Sequence, residues 1–194
     1  MKNIKLISAL LVAMLLLTFV SCGNNTAKNN SNSNSQNTTE NTSTTPTTKE
    51  EYQNYLTERY NYYFGDSNLY DNYDIYAEDF TFNGTNEEFL TVYNNSYVEL
   101  KANLENFKAD LNNFVKKGTP EVDKLNAEVI TDIDKAILSV DDYTSGFAEK
   151  TKDYATLGKD EVVKGLRTIG KSSHDAMDDL KNLIDDAKEK LGIS

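Results

Sequence analysis

Across residues 86–117 the large apolar side chains fall at Leu90, Tyr93, Tyr97, Leu100, Leu104, Phe107, Leu111 and Phe114, in steps that alternate three and four without a break. That period marks a helix packed along a coiled-coil-like seam. Thr85 stands three residues before Glu88, the spacing of a capping box. Gly118-Thr119-Pro120 then predicts a stop and a restart, with Gly in the left-handed position after the helix, Thr as the next cap and Pro in the first turn. A connection this tight makes the two helices antiparallel neighbours.

The second helix is expected over 120 to about 156, with Val122, Leu125, Val129, Ile133, Ala136, Ile137, Val140, Tyr143, Phe147, Tyr154 and Leu157 facing inward. Gly146 costs about 1 kcal/mol relative to Ala inside a helix, so a kink or local break is expected there. Reversal near Gly158 gives a third helix over 159–191, where Val163, Leu166, Gly170, Ser173, Met177, Leu180, Ile184, Ala187 and Leu191 keep the same alternation. Gly165, Gly170 and Ser173 make its middle small, which predicts close helix approach, with a pocket as the alternative.

Thr48 and Glu51 form a second capping box ahead of a short helix over 49–64. An irregular crossing follows over 65–86 and closes at the Asn83-Gly84 turn. The predicted fold is all-α: an elongated antiparallel bundle of three long helices plus a short N-terminal helix, with coiled-coil-like packing.

Ahead of this domain the pattern vanishes. Of the twenty-six residues 23–48, twenty are Asn, Ser or Thr. Without apolar periodicity such a segment forms no core and reads as a disordered tether. Before it, an apolar run over residues 4–20, opened by Lys2 and Lys5, has the layout of a secretory signal peptide. It is short for a transmembrane helix, which needs about 20 apolar residues.

Phe19-Val20-Ser21-Cys22 resembles the lipobox of bacterial lipoproteins, with Phe19 where Leu is usual. The resemblance implies cleavage before Cys22, diacylglycerol and a further fatty acid such as palmitate on that residue, and a protein anchored on the extracytoplasmic face of the cell membrane. Two acyl chains suffice for stable anchoring, whereas one gives only marginal binding. Gly23 in place of Asp directs the anchor to the outer membrane in a cell that has two membranes. The mature domain resembles helical-bundle envelope lipoproteins, with no specific family. Cys22 is the only cysteine, so no disulfide supports the domain.

From residue 49 onward there are 17 basic and 30 acidic residues, a net charge of −13. Binding to nucleic acid requires a basic surface, so nucleic acid is excluded as a partner, as is direct adhesion to anionic lipid. More than half of the chain's aromatics lie in residues 52–82, and no Lys or Arg falls between Arg59 and Lys101. Tyrosines supply rigid contact area with a polar tip. Tyr70, Tyr73 and Tyr76 are therefore the candidate binding surface, and rings mixed with carboxylates suit a basic ligand or a sugar; packing on a bundle flank is the structural alternative.

Asp66, Asn68, Asp71 and Asp74 do not match a calcium loop, because position six counted from Asp66 is Asp71 and position twelve is Ala77. Nor does Ser172-Ser173-His174-Asp175 make a triad, since consecutive helical residues point about 100° apart. No cofactor, metal site or catalytic residue is expected, and His174 is placed on the flank of the seam. The function that fits is a lipid-anchored, non-catalytic binding or scaffold bundle with a protein or cell-wall partner. A ligand-sensing or solute-binding domain with its pocket at the small-residue waist is the alternative, and a wall-active enzyme the least supported. The seams serve a monomer and a paired bundle alike.

Overall fold

The computed structural model describes residues 47–65, 74–115 and 118–193, all within one compact unit, Thr42–Ser194. The signal segment, Cys22 and nearly all of the tether lie outside the described residues. The domain is mostly helical, with no strand among the described residues and a single isolated bridge between Thr47 and Gly118. Five helices pack together: α1 (Lys49–Phe64), α2 (Asn86–Phe114), α3 (Pro120–Lys150), α4 (Lys159–Asp185) and α5 (Ala187–Leu191).

Capping sets where the helices begin. The Thr48 hydroxyl accepts the Glu51 amide at 3.2 Å while the Glu51 carboxylate accepts the Thr48 amide at 2.9 Å. Thr85 and Glu88 repeat the arrangement at the same two distances. Thr119 accepts the Val122 amide at 3.3 Å with Pro120 in the first turn. Each of these helices carries carboxylates in its first turn, where the exposed amides favour negative charge. Gly84, at φ +81°, supplies the left-handed residue of the turn into α2.

Four local expectations are corrected. Gly118 is not left-handed, because α2 ends earlier, at Phe114. Its lack of a side chain is needed for another reason: a Cβ would stand 2.6 Å from Val122 Cγ1, and its amide donates to Asp123 at 2.8 Å. Gly146 breaks nothing, since α3 runs through it on the strength of Tyr143 and Phe147, both buried on either side. α3 nonetheless stops at Lys150, where the buried Thr151 turns its hydroxyl back onto the Phe147 carbonyl at 2.8 Å, and a single 3-10 turn at Tyr154–Thr156 follows. The last helix is likewise interrupted at Asp186, yet Ala187 and Leu191 stay buried, so the seam keeps its register across the interruption.

Every seam position named for the last helix is buried, and in α2 all are buried except Phe114, which lies stacked on Tyr55 at 3.8 Å. Cross-helix pairs show the order. Lys101 meets Asp141 and Lys108 meets Asp134, both at 2.6 Å, so α2 and α3 run in opposite directions. α1 lies on the C-terminal half of α2, with Asn103 donating to the Tyr63 carbonyl and the Tyr52 hydroxyl donating to Asn126 inside the core.

Candidate functional site

α4 presents a second stripe beside its buried seam. Arg167, Lys171, His174, Asp178 and Lys181 follow one another by four, three, four and three, the spacing of one helix face. Against this stripe lies the segment between α1 and α2, from residue 74 onward. The Arg167 guanidinium donates to the carbonyls of Ile75 and Ala77 at 2.5 and 2.9 Å, and the Tyr76 hydroxyl donates to the Arg167 carbonyl at 2.9 Å. Further along, Lys159 donates to the Phe82 carbonyl at 2.8 Å, and the Phe82 ring stacks on Phe89.

The Tyr76 ring lies flat on His174, with centroids 3.8 Å apart and planes 8° from parallel. His174 Nε2 is 3.4 Å from Asp178. Beside this stack opens a cleft of about 310 Å3, the size of a small ligand site. Among the described residues its walls are Tyr60 and Phe64 from α1, Tyr93 from α2, and Ile75, Tyr76, His174 and Met177. Asp74, Asp178 and Lys181 supply its charged groups. The Lys181 ammonium is held by Asp185 at 2.5 Å, and Asp74 accepts the Tyr76 amide at 3.0 Å through one oxygen.

Three carboxylates and one guanidinium act on the Tyr76 hydroxyl. Burial pushes the Tyr76 hydroxyl up to about 12, and Asp175, Asp178 and Asp74 push in the same direction against Arg167.

Of the three tyrosines expected to form a binding surface, Tyr70 and Tyr73 lie outside the described residues. Tyr76 is half-buried and spends its ring and its hydroxyl on α4, so it acts as a wall and a fastener. The tyrosines of α1 are divided similarly. Tyr63 and Arg59 both reach the Asp110 carboxylate, at 2.9 and 3.4 Å, and Arg59 also covers the Tyr62 ring. Burial and Asp110 push the Tyr63 hydroxyl up to about 12.

The small waist is filled by rings. A Cβ on Gly165 would collide with Tyr154, and one on Gly170 would stand 2.9 Å from the Tyr97 hydroxyl. The Ser172-Ser173-His174-Asp175 run diverges as helical geometry requires: Ser173 is buried, His174 faces Tyr76, and Asp175 is held by Lys171 at 2.7 Å. Asp66, Asn68 and Asp71 lie outside the described residues.

Periodicity pointed to the seam and left Arg167, Asp178 and Lys181 among its exposed neighbours. The signal that would have found them is the regular stripe one residue beyond the seam, which carries the domain's second and last arginine. This chain matches no protein family, no curated protein and no solved structure.

Proposed function

We propose that this chain is a membrane-anchored extracytoplasmic lipoprotein whose helical domain is a non-catalytic binding or scaffold module of the cell envelope. Cys22, at the end of an apolar leader and before a tether rich in Asn, Ser and Thr, supplies the anchor. The domain is read as an elongated antiparallel bundle of three long helices, α2, α3 and α4 with its continuation, with α1 alongside. In support, partner numbers fall as residue numbers rise along α2, from Lys101 with Asp141 to Lys108 with Asp134, while Glu128 of α3 reaches Lys190 of α5.

The observation that carries the binding reading is the cleft beside the Tyr76–His174 stack, lined by rings from α1, α2 and α4 together with Asp74, Asp178 and Lys181. Concave, ring-lined sites with a few placed polar groups are the usual form of recognition sites. Capture of partners from detergent-solubilised envelope by the full chain tests this reading; a stoichiometric protein partner supports it and no enrichment over an unrelated bait refutes it. Mass spectrometry of the same material checks for diacylglycerol on Cys22. The size of the cleft also favours a second reading, a solute-sensing domain, for which a small molecule rather than a protein raises the melting temperature.

A further inference from the structure

We infer that the cleft between α1, α2 and α4 binds the side chain of an arginine presented by a basic partner, an inference that rests on the binding reading above. Guanidinium is flat, keeps its charge at every relevant pH, stacks on aromatic faces and forks onto carboxylates. The cleft offers both kinds of group: the half-buried Tyr60 ring, beside Phe64 and Tyr93 that are almost fully buried, and the carboxylates Asp74 and Asp178, the second 3.4 Å from His174.

The same domain already uses this chemistry once. Arg59 lies 4.5 Å over the Tyr62 ring and 3.4 Å from Asp110, a guanidinium held between a ring and a carboxylate. In the cleft the rings and carboxylates recur while the nearby cations are engaged elsewhere. Arg167 donates to Ile75 and Ala77, and Lys181 is paired with Asp185. One face of the Tyr76 ring is covered by His174. A domain charge of −13 draws a basic partner in from solution.

His174 is the only histidine in the chain and forms one wall of the cleft, so its ring resonances report on this site alone. The test uses the full chain in maltoside micelles, which bring no cationic head group, at fixed pH and ionic strength. Nα-acetyl-arginine amide and its neutral isostere Nα-acetyl-citrulline amide are titrated while the His174 signals are followed by NMR. The expected result is a saturable shift with the arginine probe and binding weaker by about tenfold or more with the citrulline probe. The paired substitutions Asp74→Asn and Asp178→Asn are expected to abolish the preference; Asn at 74 keeps an oxygen for the Tyr76 amide. Equal binding of the two probes, or no saturable shift, overturns the inference, and this comparison needs no variant to fold. If the arginine probe fails while envelope capture still yields a partner, the cleft assignment falls and the binding reading stands; if the probe binds and no partner is captured, it is that reading that falls.

Discussion

Tyr76 and Arg167 hold each other's backbone: the tyrosine hydroxyl donates to the Arg167 carbonyl, while the guanidinium donates to the carbonyls flanking Tyr76, those of Ile75 and Ala77. Three half-buried hydrogen bonds thus fasten an irregular segment to α4. Arg167→Lys keeps the charge but loses the fork, at a cost of about 1–3 kcal/mol. Tyr76→Phe removes a single bond and costs about 1 kcal/mol. Both losses are expected as faster amide hydrogen exchange over residues 75–82, with the amides of α3 unchanged, because the segment opens without the helices parting. Uniform acceleration across the domain would show that the fastening is global.

Three helical glycines separate propensity from packing. Ala gains about 1 kcal/mol over Gly at each position, so the neighbour decides the sign. At Gly146 the new methyl meets only the end of the Lys150 side chain, which swings away, and Gly146→Ala is expected to stabilise by about 0.5–1 kcal/mol. At Gly165 it meets the half-buried Tyr154 ring, whose displacement offsets the gain and leaves the change near neutral. At Gly170 it meets Tyr97, which is fully buried and stacked on Tyr143 at 3.9 Å, so Gly170→Ala is expected to destabilise by about 1–2 kcal/mol net. Urea unfolding followed by circular dichroism should order the variants as 146, 165, 170; any other order refutes the packing account.

The seams of α2, of α3 as far as Phe147 and of α4 were legible because burial at a three-four period is set by each helix's own geometry, whereas Leu157, expected to face inward, lies past the end of α3 and is exposed. Val163 through Leu191 shows this most fully, every position lying in the core. The ends of α3 and α4 were not, since the Thr151 hydroxyl bond to Phe147 and the change of backbone angles at Asp186 leave no mark on the apolar pattern. The cleft was half legible. Tyr76 stood out by composition, but its partners on α4 lie about a hundred residues away, and no spacing rule links an irregular segment to a helix face. Gly170 looked like a contact between backbones and is instead the seat of a tyrosine hydroxyl, since sequence shows a gap without showing what fills it.

Alkaline pH should unfold this domain in a defined window. Burial, aided by Asp110 at Tyr63 and by Asp175 at Tyr76, pushes both hydroxyls from 10.0 up to about 12. Tyr52, buried against Asn126, and Tyr55 shift in the same direction. The folded chain therefore binds more protons than the unfolded chain above pH 10.0, and stability must fall as pH rises. The contribution is complete below that value and is lost on passing through about pH 12. Lys101, raised from 10.5 by its bond to Asp141, fades in the same direction. Tyrosinate absorbance and loss of helical dichroism are expected to rise together; ionisation well ahead of unfolding would show that these hydroxyls are freely accessible.

Two buried serines, one on α2 and one on α4, should respond differently to the same substitution. Ser173 is 1% exposed, and its hydroxyl has no hydrogen-bond partner among the described residues. A buried hydroxyl left unsatisfied costs about 1–3 kcal/mol, and Ala is also the better helix former. Ser173→Ala is therefore expected to stabilise by about 0.5–2 kcal/mol, the small lost volume offsetting part of the gain. Ser96 is fully buried too, but its hydroxyl donates to the Tyr93 carbonyl at 2.7 Å, so Ser96→Ala gives up a bond of about 1 kcal/mol and its midpoint should fall at or slightly below that of the parent chain. Differential denaturation of the two variants reads this directly. A lower midpoint for Ser173→Ala would mean that its hydroxyl is satisfied by ordered water, and the middle of α4 would then be wet rather than sealed by the surrounding tyrosine rings.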